Sequence, residues 1–378
     1  MKKLFNLFSL ILFVQVQLYA QSATPKPIDK LPNWALGQFI RPAGVNPVIS
    51  PVATTSFYDP MQKKQLDWES NDTFNPAAAV KNGKIYVLYR AEDKSGVGIG
   101  HRTSRIGLAE SKDGIVMKRT GKPVLFPGED DQKEFEWTGG CEDPRVAMTE
   151  DGTYLMLYTQ WNKKTPRLGA ATSKDLVNWK KHGPIFQDAY NGKFHDIASK
   201  SASILTTVKD NKLVITKHKG KYWIYWGENH VYAATSDNLV DWAPVLNEKG
   251  ELLELVSPRK GYFDSHLTEC GPPAIITEKG IVLMYNGKNL SGADSDPNYT
   301  PNSYCAGQML FSAEEPSKLI ERLDKPFLIP EASFEKSGQY PAGTVFIEGL
   351  VYHKNKWFLY YGCADSQVAV AVFDPGKI

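Results

Sequence analysis

GKIYVLYR at residues 83–90 is a short apolar and aromatic strand entered from a turn, and the chain writes it five times. The other copies are GTYLMLYT (152–159), GKYWIYWG (220–227), KGIVLMYN (279–286) and NKWFLYYG (355–362), with Lys84, Thr153, Lys221, Gly280 and Lys356 in matching places. A second pattern follows the first four: AESKDGIVMKR, ATSKDLVNWKK, ATSDNLVDWAP and FSAEEPSKLIER, each a small-residue strand, a polar turn and another strand. Self-similarity at this period marks a repeat architecture. The strands are short, Gly, Asp and Asn turns separate them, and long amphipathic helical stretches are missing. About four strands per unit make one propeller blade, and radial packing protects the strand edges. Five units therefore predict an all-β, five-bladed β-propeller over residues 51–378. A β-sandwich would need five matched copies by coincidence. Residues 21–50, rich in Pro and Ala, read as an N-terminal arm packed on the propeller.

The chain opens MKKLFNLFSLILFVQVQLYAQS, with a basic start, an apolar run and a small residue at Ala20. This reads as a signal peptide over residues 1–20, implying export, to a periplasm, with no membrane anchor after cleavage. The 44 Lys+Arg face 42 Asp+Glu, and without Lys2 and Lys3 the two counts are equal. A neutral mature chain argues against nucleic acid as a partner. Cys141, Cys270, Cys305 and Cys363 lack CxxC spacing and read as free buried thiols; no metal and no cofactor are implied. GVGIG (96–100) lacks the last glycine of a dinucleotide fingerprint and reads as a loop. Oligomeric state is not legible.

The 9 Trp, 18 Tyr and 17 Phe suit strands and also sugar-stacking surfaces. Polar residues sit beside the repeated strands in all five units: Asn75, Arg90, Glu142 and Asp143, Glu228, Glu269, and Asp365. Each alone reads as a solvated turn charge. Together, at equivalent ends of propeller blades, they converge on one funnel. Several carboxylates with an Arg, an Asn and aromatics suit a sugar. Glycosidic cleavage needs one carboxylic acid for the leaving oxygen and one carboxylate for the nucleophile. In GGCEDPRV (139–146), Asp143 is the candidate acid, with Glu142 and Arg145 holding its orientation and charge state.

FNPAAAVKNGKIYVLYRAED, GLAESKDGI, GGCEDPRV, LGAATSKDLVNW, GPPAIITEKGIVLMYNG, EEPSKLIERLDKPFLIPE and FLYYGCADSQVAVA occur in order over roughly residues 70–375. This set resembles glycoside hydrolase family 130, the mannoside phosphorylases and related mannosidases. The resemblance implies a five-bladed propeller that cleaves β-mannosides with inversion. It implies Asp143 as general acid, acting through a hydroxyl of the −1 mannose, and Asn75, Arg90 and Asp365 as −1 mannose contacts. The sequence departs from the pattern where the phosphorylases bind phosphate. A basic pair expected after the third-unit strand is replaced in WIYWGENH by Gly227 and Glu228, and Glu269 precedes the GPP segment. Glutamates repel a phosphate dianion and suit water activation, while Lys200 and His230 remain as cations.

The expectation is an inverting exo-β-mannosidase acting on β-1,2-linked mannoside oligosaccharides. The alternative is a mannoside phosphorylase, for which Lys200 and His230 would hold the anion. A non-catalytic sugar-binding propeller would lack the acid or the base. Five-bladed arabinosidases or fructosidases carry other motifs.

Overall fold

In the computed structural model, residues 26–377 are described, and they form an all-β chain with only short helical turns. The expected signal peptide lies outside the described residues. The five repeated segments are the second strands of successive antiparallel sheets: Lys84–Glu92, Tyr154–Trp161, Lys221–Trp226, Gly280–Lys288 and Lys356–Cys363. Each pairs with a strand before it, led by Asp72–Lys81, Gly140–Met148, Ala202–Lys209, Leu267–Cys270 and Val345–His353. Each also pairs with a strand after it. First strands of neighbouring sheets run side by side, as where Leu205 and Thr206 pair in parallel with Ala274 and Ile275. Their nearly continuous burial is the signature of a strand covered on both faces.

The repeat carries a buried polar lock that its sequence pattern hides. The penultimate aromatic of the repeated strand is Tyr89, Tyr158, Tyr285 or Tyr361 in four of the sheets, and each is fully buried. Each phenol donates to a buried carboxylate on the segment leading into its sheet: Glu69 (2.7 Å), Glu136 (2.7 Å), Asp264 (2.6 Å) and Glu335 (2.8 Å). Each carboxylate is paired in turn with a cation, respectively Arg119, Lys181, Arg322 and Arg41. A hydrogen-bonded, charge-paired carboxylate avoids the cost of burial alone. In the third sheet the place is taken by Trp226, packed on Phe186 and Tyr232.

Arg119, Lys181 and Arg322 stand on the fourth strand or segment of their own sheets. Arg41 does not; it belongs to the arm. The last sheet has only three strands of its own, and the arm supplies the missing edge. Ile40 bridges Val372, Ile49 bridges Val368, and the Asn46 amide bonds both backbone groups of Val370 between them (2.8 and 2.9 Å). The N-terminal arm thus fastens the C-terminal sheet and covers an edge left open. Arg41→Ala leaves the fully buried Glu335 without its cation. It is expected to cost about 3–5 kcal/mol of unfolding free energy, measured by denaturant titration.

Cys141, Cys270, Cys305 and Cys363 are free and buried, as expected for a large core. No helix among the described residues is long and apolar enough to cross a membrane.

Candidate active site

Irregular backbone aims the functional side chains. The first strand of the first sheet has a bulge at Asn75, that of the second sheet at Asp143 and Pro144, and that of the last sheet at Glu348. An extra residue in a strand breaks the alternation and redirects a side chain. Asn75 (φ 45°), Asp143 (φ 48°), Ser201 (φ 59°) and Asp365 (φ 52°) all lie in the left-handed region. Asn and Asp tolerate that region better than most residues. Gly227, just before Glu228, has φ 124°, and a Cβ there would stand 2.0 Å from the His230 carbonyl oxygen. Only glycine serves at that turn.

Asp143 is 2% exposed. Its Oδ1 accepts from Asn75 Nδ2 (2.9 Å) and Arg90 NH1 (3.1 Å). Arg90 NH2 also meets Glu142 (2.8 Å) and Glu92 (2.7 Å), and its Nε donates to Ser104 Oγ (3.0 Å). On the other side, Lys200 Nζ lies 3.8 Å from Asp143 Oδ2, 3.6 Å from Glu228 Oε1 and 3.7 Å from Glu269 Oε1. One ammonium therefore gathers the expected acid and both expected water-activating glutamates. Through Nζ, the Asp143 and Glu228 oxygens can be no more than about 7.4 Å apart, which is compatible with the roughly 6.5–9.5 Å of inverting carboxyl pairs. Ser201 Oγ donates to Glu269 as well.

These charges set the protonation. Asp143 is desolvated, which raises it, but Arg90, Lys200 and Arg145 together with the Asn75 amide outweigh burial and hold it well below the usual carboxylate range. Glu142 is pushed up to about 7, by burial first and then by the charge of Asp143, against the pull of Arg90. The adjacent carboxyls titrate as a pair that keeps one proton up to near neutrality. Burial pushes Asp365 up to about 7 too, opposed by Arg90 and reinforced by Asp143 and Glu92. Burial also raises Glu269, against Lys200. Neighbouring buried carboxyls of unequal proton affinity are equipped for acid–base work.

Arg145, expected to hold the orientation and charge state of Asp143, is 1% exposed, too buried to meet substrate as well. Its guanidinium donates to the carbonyls of Asp143 (2.9 Å), Cys270 (2.8 Å) and Gly271 (3.3 Å) and lies 2.9 Å from Glu348 Oε1. It reads as a strut because every direction of the fork is occupied by protein. His230, expected as a possible phosphate cation, faces Glu254 at 3.3 Å and the Tyr232 ring, and no contact joins it to Lys200.

Sequence reasoning missed Glu92, Ser104, Ser201 and Glu348. Glu92 was within reach, since it lies two residues after Arg90 and shares its strand face. Glu348 was signalled by a lone charge inside the apolar run VFIEGLVY. Ser104 and Ser201 carry no distinguishing signal.

An all-β chain whose strand mouths converge on a buried carboxylate cluster has the build of a sugar-cleaving enzyme. Residues 47–378 match the family model Glyco_hydro_130, described as β-1,4-mannooligosaccharide phosphorylase. The chain belongs to glycoside hydrolase family 130, and is an enzyme of that family acting on β-mannosides. It is 31% identical over 325 residues to a 1,2-β-oligomannan phosphorylase of Thermoanaerobacter sp. (strain X514), covering 83% of this chain and 94% of the relative. A glycosyl hydrolase structure from Bacteroides ovatus is 63% identical with a TM-score of 0.90, covering 92% of this chain and 96% of its own. A further solved structure is 61% identical with a TM-score of 0.91, covering 93% and 98%. It was described in work stating that the GH130 family of mannoside phosphorylases contains glycoside hydrolases that target β-1,2 mannosidic linkages in Candida mannan.

Proposed function

We propose that this protein is an inverting, exo-acting β-mannosidase that hydrolyses β-1,2-linked mannoside oligosaccharides. In this reading the five antiparallel sheets are the blades of one propeller, completed by the arm, and the leader-like start directs export. Asp143, within its pair with Glu142, delivers the proton to the leaving oxygen through a mannose hydroxyl. Glu228 and Glu269 orient and deprotonate water. Asn75, Arg90 and Asp365 hold the −1 mannose.

The observation that carries the hydrolytic reading is the surroundings of Lys200. Its ammonium already faces three carboxylates at 3.6–3.8 Å. A phosphate dianion entering there would meet the charges of Glu228 and the buried Glu269, and like-charge repulsion opposes it. A water molecule meets no such opposition and finds carboxylate acceptors for its protons. The 61% identical structure described in work on β-1,2-targeting hydrolases supports the linkage and the reaction. The phosphorylase named among relatives at 31% identity favours the second reading, phosphorolysis with Lys200 binding the anion.

Incubation with β-1,2-mannobiose, with and without inorganic phosphate, separates the two. Free mannose, initially the α-anomer, is expected at the same rate in both. Mannose 1-phosphate formed in proportion to added phosphate would overturn the hydrolytic reading.

A further inference from the structure

Glu348 is fully buried, and neither carboxyl oxygen has an aligned hydrogen bond. Its single ion pair among the described residues is with Arg145, at 2.9 Å. It occupies the bulge of the last sheet's first strand, the position held by Asn75 and Asp143 in the first two sheets. The backbone just before it is pinned. The buried Asn286 side chain accepts from the Ile347 N–H (2.7 Å) and donates to the Ile347 carbonyl (3.1 Å). A side chain this constrained, on an otherwise apolar strand, has one evident partner to act on.

Arg145 in turn joins the two halves of the site. It donates to the carbonyl of Asp143 itself and to those of Cys270 and Gly271, which directly follow Glu269. Cys270 N–H donates to the Gly227 carbonyl (3.1 Å), next to Glu228, and Gly227 N–H donates to the Lys200 carbonyl (3.1 Å). The backbones of Asp143, Glu269, Glu228 and Lys200 are thus knotted together, with Arg145 as the crosspiece. A guanidinium held only by carbonyls could slide among them. An acceptor on its remaining side fixes it.

We propose that Glu348 is a positioning residue: by holding Arg145 from the last sheet, it sets the separation between Asp143 and the glutamates around Lys200. Glu348 touches no reacting atom. The proposal rests on the acid and base roles assigned above, but its readout does not depend on which nucleophile is used. Displacing reacting groups by about 1 Å can cost on the order of 10²-fold in rate, whereas a residue that only stabilises the fold leaves the turnover of folded protein unchanged.

The test is the steady-state consumption of β-1,2-mannobiose, with phosphate both present and absent, by folded protein, with melting followed in parallel. Glu348→Leu fills the space and removes the acceptor. It is expected to lower kcat by about ten- to a hundredfold, with KM changed by no more than about twofold, since the −1 contacts are elsewhere. Glu348→Gln keeps an acceptor oxygen for Arg145 and is expected to restore kcat to within about threefold of the unmutated protein. A folded Glu348→Leu protein with unmutated kcat overturns the proposal, as does a Gln variant no better than Leu. Should Glu348→Leu not fold, Arg145→Lys, which keeps the charge but loses the fork, carries the test. A kcat loss at unchanged KM is then expected, and an unchanged kcat overturns the proposal. A failure of the hydrolytic reading would show instead as phosphate dependence of the unmutated protein.

Discussion

Asp143→Asn is expected to lower turnover of a natural β-mannoside by roughly 10²–10⁴-fold, the usual worth of general acid catalysis. The amide matches the carboxylate in shape and can still accept from Asn75 Nδ2 and Arg90 NH1, now 2.9 and 3.1 Å from Oδ1. Binding of mannose should therefore change little while the proton route is lost. The deficit should shrink for aryl mannosides, whose leaving groups need less protonation. In the unmutated protein, kcat/KM should fall as pH rises through about 7, where the pair formed by Asp143 and the raised Glu142 loses its proton. The sign follows from where the proton sits: Asp143 is held ionised, so the proton it passes on is the one Glu142 keeps below about 7. Near-normal turnover of a disaccharide by the Asn variant would remove Asp143 from the mechanism.

Glu228→Gln and Glu269→Gln should each lower hydrolysis strongly, and the double variant should be far less impaired than the product of the two losses. Both carboxylates face the same ammonium, at 3.6 and 3.7 Å, so they can act as one water-holding unit. Groups acting as a unit give non-additive losses. The two are not equivalent in setting. Glu269 is 1% exposed and accepts from Ser201, whereas Glu228 stands on the turn after Gly227 and is partly open to solvent. Steady-state kcat and KM on β-1,2-mannobiose measure the effect, with KM expected to stay close to its original value. Fully multiplicative losses would show that the two glutamates serve separate steps.

Much of the site was legible because catalytic residue types flank strands that repeat. Asn75, Arg90, Asp143, Glu228 and Glu269 could be picked out from matching ends of similar segments, and the structure joins all of them, with Lys200, in one contact network. Arg145 illustrates the limit. Its neighbours in sequence are Asp143 and Pro144, and nothing in EDPR says that its fork turns inward. That direction follows from a bulge and from carbonyls contributed some 125 residues away. His230 is a second case: its ring lies 3.3 Å from Glu254, a neighbour 24 residues further along that WGENH does not announce.

The strand content, the repeated strand motif and the family are legible in the residues alone, because hydrophobic alternation, turn residues and ordered motifs are local properties. Tertiary structure alone decided that Arg41, from the far end of the chain, completes the last sheet's lock. It decided that Glu348 backs Arg145, and that Lys200 stands between Asp143 and the two glutamates. Each depends on side chains from distant segments meeting in one low-dielectric space. Burial there changes proton affinities and makes an unpaired charge costly, so the role of a residue is set by its partners rather than by its place in the chain.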